Sequence, residues 1–175
     1  DKGAQDQLGG LLQDGKCREK KLRGALERLA FQAHKGSAAS HAEAWTPANI
    51  TEDTLKLELA KLDAQGQRLA WAEKVIEAIR HRAGLLQSDD GKTFQFTYRF
   101  QEFLAGGYLA DKDAWEKDQQ KAPTRGLMPG FADRASALFD PSGYWRNVIT
   151  WAAGIRAHVK DDLGDVRDLI HELCK

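Results

Sequence analysis

The chain has 175 residues, 42% of them hydrophobic and 30% charged, and its 26 basic and 26 acidic side chains cancel. That length suffices for one domain with a sound core or for two small ones, and the composition excludes a disordered chain. The balanced charge excludes a whole-molecule field that would draw in nucleic acid or an anionic membrane, so either partner would need a local patch.

No apolar run approaches the roughly 20 residues of a membrane-spanning helix. The opening DKGAQDQLGG lacks the basic start and apolar core of a signal peptide. Cys17 and Cys174 stand in neither a metal-ligand nor a disulfide spacing, which suits a reducing compartment. The expected setting is cytoplasmic, without a membrane partner. Because the chain begins at Asp1 rather than at methionine, it is expected to be a piece of a longer protein.

In chain order, residues 1–17 are polar, carry Gly3, Gly9, Gly10 and Gly15, and predict a linker or loosely ordered lead-in. From Arg18 to Lys35, Leu22, Ala25, Leu26, Leu29, Ala30 and Ala33 repeat with helical period. Gly36, small residues and Pro47 then break the pattern. Thr51 is placed to cap a second helix from Glu52 to Leu62, with Glu52 and Asp53 in its first turn. A third helix is predicted over Leu69–Arg82, with Ala72, Val75, Ile76 and Ile79 on one face and Gly84 as its terminator. Asp90-Gly91 predicts a tight turn, and Phe94, Phe96 and Tyr98 alternate with polar residues to give a hairpin with one aromatic face.

Three helices followed by a hairpin is the order of a winged-helix unit. At Phe100 the period changes: Phe100, Phe103, Leu104 and Tyr108 line one side of a helix that the hairpin feeds directly, with Gly106 and Gly107 weakening its middle. Loops are predicted over 121–131 and 140–143, around a short helix from Ala132 to Leu138. Ser142 is placed to cap a helix with the stripe Trp145, Val148, Ile149, Ala152 and Ile155. A last helix, Leu163–Cys174, carries Val166, Leu169, Ile170 and Leu173. The expected fold is mainly α: a lead-in (1–17), a winged-helix domain (18–110), and a helical-hairpin, superhelix-like extension (111–175).

No complete catalytic motif is present. GLLQDGKC, residues 10–17, nearly matches the phosphate-binding pattern G-x-x-x-x-G-K-[ST], but Cys17 replaces the magnesium-holding hydroxyl and no apolar strand precedes Gly10. His34, His41, His81, His158 and His171 form no metal-ligand set; His171 and Cys174 alone would be two ligands where structural zinc takes four. The third helix carries Lys74, Arg80 and Arg82, yet Glu73 and Glu77 interleave with them, which argues against a groove-reading face.

FQFTYRFQEFLAGGYLA, residues 94–110, resembles the hairpin-to-helix stretch that ends the winged-helix segment of NACHT-type STAND NTPases. LRGALERLAFQAHK, ITEDTLKLELAKL and VIEAIRHRAGLLQSDDGKTFQF resemble that segment's preceding elements, and YWRNVITWAAGI the first repeat helix after it. The likeness covers residues 20–160 or so.

It implies a regulatory module that packs on an NTPase domain and couples nucleotide state to downstream helical sensor repeats, and it leaves open oligomerisation of the full-length protein on activation. Phe94, Phe96, Phe100, Gln101, Glu102, Phe103 and Leu104 are the implied coupling residues. The family's sensing His is absent; Tyr98 and Arg99 stand there as candidate nucleotide contacts. No cofactor is expected in this chain, and ATP or GTP with Mg only in the full-length parent. The alternative is a stand-alone winged-helix DNA-binding protein with a helical dimerisation extension. An enzyme with its own site has the least support.

Overall fold

The structure, a computed structural model, describes residues 2–40, 49–66, 68–81, 85–111, 114, 130–139, 142–159 and 161–174, with the backbone alone at 2–7, 38–40, 81 and 98. The terminator expected at Gly84, the break at Pro47 and most of the loops expected over 121–131 and 140–143 lie outside these residues. The chain is mainly helical with one small antiparallel sheet. It divides into two compact units, Asp1–Gln101 and Glu102–Lys175. The division falls before the boundary expected at residue 110 and inside a helix.

The first unit holds α1 (Lys2–Asp14), α2 (Glu19–Ser40), β1 (Asn49–Thr51), α3 (Glu52–Ala60), α4 (Leu69–His81), β2 (Leu86–Gln87) and β3 (Thr93–Phe96), and ends in the first turn of α5 (Tyr98–Ala110). The apolar stripes read from periodicity form its core: Leu22, Leu26 and Leu29 of α2, Leu55 and Leu59 of α3, and Val75, Ile76 and Ile79 of α4 are all buried. α2 continues through Gly36 to Ser40 rather than stopping at Lys35. A glycine inside a helix costs only about 1 kcal/mol against alanine, less than a long packed helix gains.

Thr51 ends β1 and caps α3 at once: its hydroxyl accepts from the Thr54 N–H at 3.3 Å. Strand order is β1-β3-β2, with Ile50 opposite Phe94 and Leu86 opposite Phe96. These four side chains are buried together, which fixes the register, since a slip of one residue would expose all of them. At the hairpin tip the Asp90 carboxylate accepts from the N–H groups of Thr93 at 2.7 Å and Lys92 at 2.8 Å. Those bonds hold its carboxyl below the usual value, and Gly91 supplies the left-handed φ of +71° that the turn requires.

The lead-in reading of residues 1–17 is corrected. Lys2–Asp14 is a helix, docked by buried Leu8 and Leu12 and by a bond from the Trp71 indole N–H to the Leu11 carbonyl at 2.7 Å. Gln65 Nε2 donates to the Asp14 carbonyl, Ala64 N–H to the Gly15 carbonyl, and Arg68 pairs with Asp14 at 3.0 Å. Three glycines lower the helix's own propensity by roughly 1 kcal/mol each, while burying a leucine returns about 1.5–3 kcal/mol. Tertiary contact therefore overrides local preference. With Gly10 to Asp14 helical, GLLQDGKC forms no phosphate-cradling loop.

The second unit holds the rest of α5, then α6 (Phe131–Ser136), α7 (Arg146–His158) and α8 (Leu163–Leu173). The predicted stripe of Trp145, Val148, Ile149, Ala152 and Ile155 is buried. Ser142 does not hold the cap position of α7: its hydroxyl accepts from the Tyr144 N–H in the preceding turn, and Trp145 holds the cap position, making no side-chain cap hydrogen bond. α8 is capped by Asp162, which accepts from the Asp165 N–H at 3.2 Å, and of its stripe only Leu169 is buried. Among the described residues no helix is long and apolar enough to cross a membrane.

Candidate functional site

The residues singled out in FQFTYRFQEFLAGGYLA occupy β3 and α5, separated only by Thr97. Phe94 and Phe96 are each 1% exposed, and the Arg80 guanidinium lies over the Phe94 ring, 5.6 Å from its centroid. The helix opens at Tyr98, with Phe100 N–H and Gln101 N–H both bonded to the Thr97 carbonyl. Starting there, the buried i, i+3, i+4, i+7 stripe is Gln101, Leu104, Ala105 and Tyr108.

This displaces the expected stripe. Phe100 is 42% exposed, so it lies off the buried face of α5, and the polar Gln101 takes the place that hydrophobicity would assign to it. Leu104 is buried as expected; Phe103 is half-buried and meets Trp151 edge-on, ring centroids 5.3 Å apart. Arg99 is exposed on the first turn, and the Tyr98 side chain lies outside the described residues.

Two polar members of the motif are buried among its apolar residues. Gln101 and Glu102 are each 2% exposed. The Gln101 side-chain amide lies 3.3 Å from Nδ1 of buried His34, on α2 in the first unit. Glu102 Oε1 accepts from Asn147 Nδ2 at 2.9 Å, on α7 in the second unit. Adjacent residues of one unbroken helix are thus tied by side-chain bonds to different compact units. A buried polar group left without its partner costs more than the bond itself contributes, so either pairing is costly to break.

The far end of α5 is held by two buried arginines. Arg134 donates to the Leu109 carbonyl at 3.0 Å, and Arg156 to the Ala110 carbonyl at 3.4 Å while also pairing with Asp162 and Asp165. These are carbonyls that a helix C-terminus leaves without intrahelical donors, and positive charge is favoured there. In the middle, Gly106 lets α7 approach: a Cβ built on it would stand 2.7 Å from Trp151 Cβ and 3.0 Å from the Val148 carbonyl oxygen. The glycine that looked like a weakness in the helix is therefore a packing requirement.

Of the basic residues on and just ahead of α4, Lys74 is exposed, whereas Arg80 and Arg68 are engaged within the protein. Arg80 covers Phe94, and Arg68 binds Asp63 at 2.7 Å as well as Asp14. Glu73 on the same helix is paired with Lys56 at 2.8 Å, and Arg82 lies outside the described residues.

Sequence reasoning missed the structural roles of His34, Asn147 and Gly106. One signal was available: His34 follows Leu26 and Ala30 at steps of four, so it is a polar residue on the apolar face of α2. No family model, no curated protein and no solved structure matches this chain.

Proposed function

We propose that this chain is a regulatory interaction module of a NACHT-like STAND signalling NTPase. Its first unit, less α1, is a winged-helix domain that packs on the NTPase domain, and α5 passes nucleotide-dependent movement to helical sensor repeats. The observation that carries this reading is the anchoring of Gln101 to His34 and of Glu102 to Asn147 within one helix. A hairpin that runs into a helix through Thr97 alone, with neighbouring residues fixed in two units, suits a lever between rigid bodies.

The winged-helix part is supported by the element order α2-β1-α3-α4-β2-β3 with strand order β1-β3-β2. It is the arrangement expected when a strand after the first helix pairs with the returning arm of the wing. The signalling part rests on the resemblance of residues 94–110. ATP or GTP with Mg belongs to the parent's NTPase domain; this chain contributes Arg99 and Tyr98 at its edge.

The reading requires a strand followed by G-x-x-x-x-G-K-[ST] in the same reading frame upstream of Asp1, and a frame without one overturns it. On the chain itself, titration calorimetry with ATP-Mg or GTP-Mg is expected to give no binding heat. A mobility-shift assay on duplex DNA is expected to show no retained complex; tight binding with a steep salt slope would make the chain a DNA-binding protein instead.

A further inference from the structure

We propose that α1 is a displaceable arm seated in a docking groove of the first unit, and that the groove takes an amphipathic partner helix in competition with it. This stands independently of the NTPase reading. The groove is formed by α4 and the α3–α4 turn, and what it recognises is legible in what it holds. Leu8 and Leu12, at i and i+4, are buried in it. The Trp71 indole N–H donates to the Leu11 carbonyl, and Arg68 pairs with Asp14, two residues beyond the second leucine. The matching ligand is a short helix with leucines at i and i+4 and a carboxylate at i+6.

α1 holds this place with little help from its own sequence. Gly3, Gly9 and Gly10 depress its helicity. Its last turn ends on Asp14 and holds no basic residue, against the helix dipole. A helix of this length is marginal in isolation, so docking and helix formation are one event. The connection to α2 also favours release. Lys16 sits at φ 49°, in the left-handed region that favours glycine, and a Cβ at Gly15 would stand 2.5 Å from the Trp71 ring, so the turn is shaped by the docked state.

Release would uncover the Trp71 ring, now 3% exposed, beside the Arg68 guanidinium. Arg68 keeps its bonds to buried Asp63 whether or not α1 is docked, so the groove's charged residue stays in place for another ligand.

The test uses the full chain. In the wild type, hydrogen exchange in 2–14 is expected to run at least about a hundredfold faster than in α4; equal protection overturns the proposal. In Leu8→Asp/Leu12→Asp, amides 2–14 should exchange at unstructured rates and the Trp71 indole N–H resonance should shift, while α2–α4 keep protection within a few-fold. Adding the synthetic peptide KGAQDQLGGLLQD to this variant should return the Trp71 resonance saturably, and the same peptide with both leucines changed to Asp should not. Loss of protection throughout 19–101 in the variant makes α1 integral core and overturns the proposal. Should that variant fail to fold, Gly15→Val forces α1 from Trp71 by sterics alone, with the same peptide response expected and its absence again fatal.

Discussion

Gly106 and Gly154 stand in the middle of helices, yet their surroundings differ in kind. A side chain at Gly106 meets the backbone and Cβ of α7, whereas a Cβ at Gly154 meets nothing within 4 Å. Alanine removes the conformational freedom of glycine at both, a gain of up to about 1 kcal/mol in a helix. At Gly106 the overlap must push two helices apart, at a cost of about 1–3 kcal/mol. Gly106→Ala is therefore expected to lower the urea midpoint of the second unit and Gly154→Ala to raise it; movement in the same direction would show that the contact is relieved cheaply.

Asp63 makes a second residue-scale prediction. It is 4% exposed, and its carboxylate accepts from the Arg68 guanidinium and from the N–H groups of Gln65 and Arg68. The Arg68 bond, followed by those backbone bonds, holds its pKa down to about 2 from 3.8. A carboxyl depressed on folding contributes stability that is complete above its unfolded value and is lost as pH falls through its folded value. The wild type should lose stability between about pH 4 and pH 2 through this group. Asp63→Asn should be less stable at neutral pH and flatter across that window, measured by urea midpoints at each pH. Parallel decline of the two proteins would move the acid sensitivity elsewhere.

At the scale of elements, legibility followed the range of the forces involved. α2, α3, α4 and α7 are amphipathic with local caps or long stripes, and periodicity placed them within a few residues. The hairpin was legible because Asp90-Gly91 fixes its turn from within. β1 was not: its three residues become a strand only because Ile50 has Phe94 to face, a partner far along the chain. α1 was misread for the same reason in reverse, since its glycines argue against a helix and Trp71 argues for one.

At α5 the expected and the observed buried faces differ. Hydrophobic period put Phe100 on the inner face, and the structure leaves it 42% exposed while burying Gln101. A buried glutamine is legible only when its partner is known, and His34 and Gln101 are brought together by the fold alone. Local consistency is expected to fail where an element serves something besides stability, and α5 is where it fails here.

The two compact units each have buried core residues, among them fully buried Leu59 in the first and Val148 in the second. The proposed lever requires each body to hold its shape while the other changes, which is a statement about cooperativity. Leu59→Ala should cost about 2–5 kcal/mol, and Val148→Ala somewhat less, since fewer buried methylenes are removed. If the units are separately stable, Leu59→Ala should speed hydrogen exchange in α2, α3, α4 and the strands while leaving α7 largely protected, and Val148→Ala should do the converse. α5 should split between them. Its first turn should open with Leu59→Ala, because Gln101 is held by His34, and its later turns with Val148→Ala, because Glu102 and Gly106 are set against α7. An equal increase across both units for either substitution would make the chain one cooperative block, and a block of that kind cannot relay motion through α5.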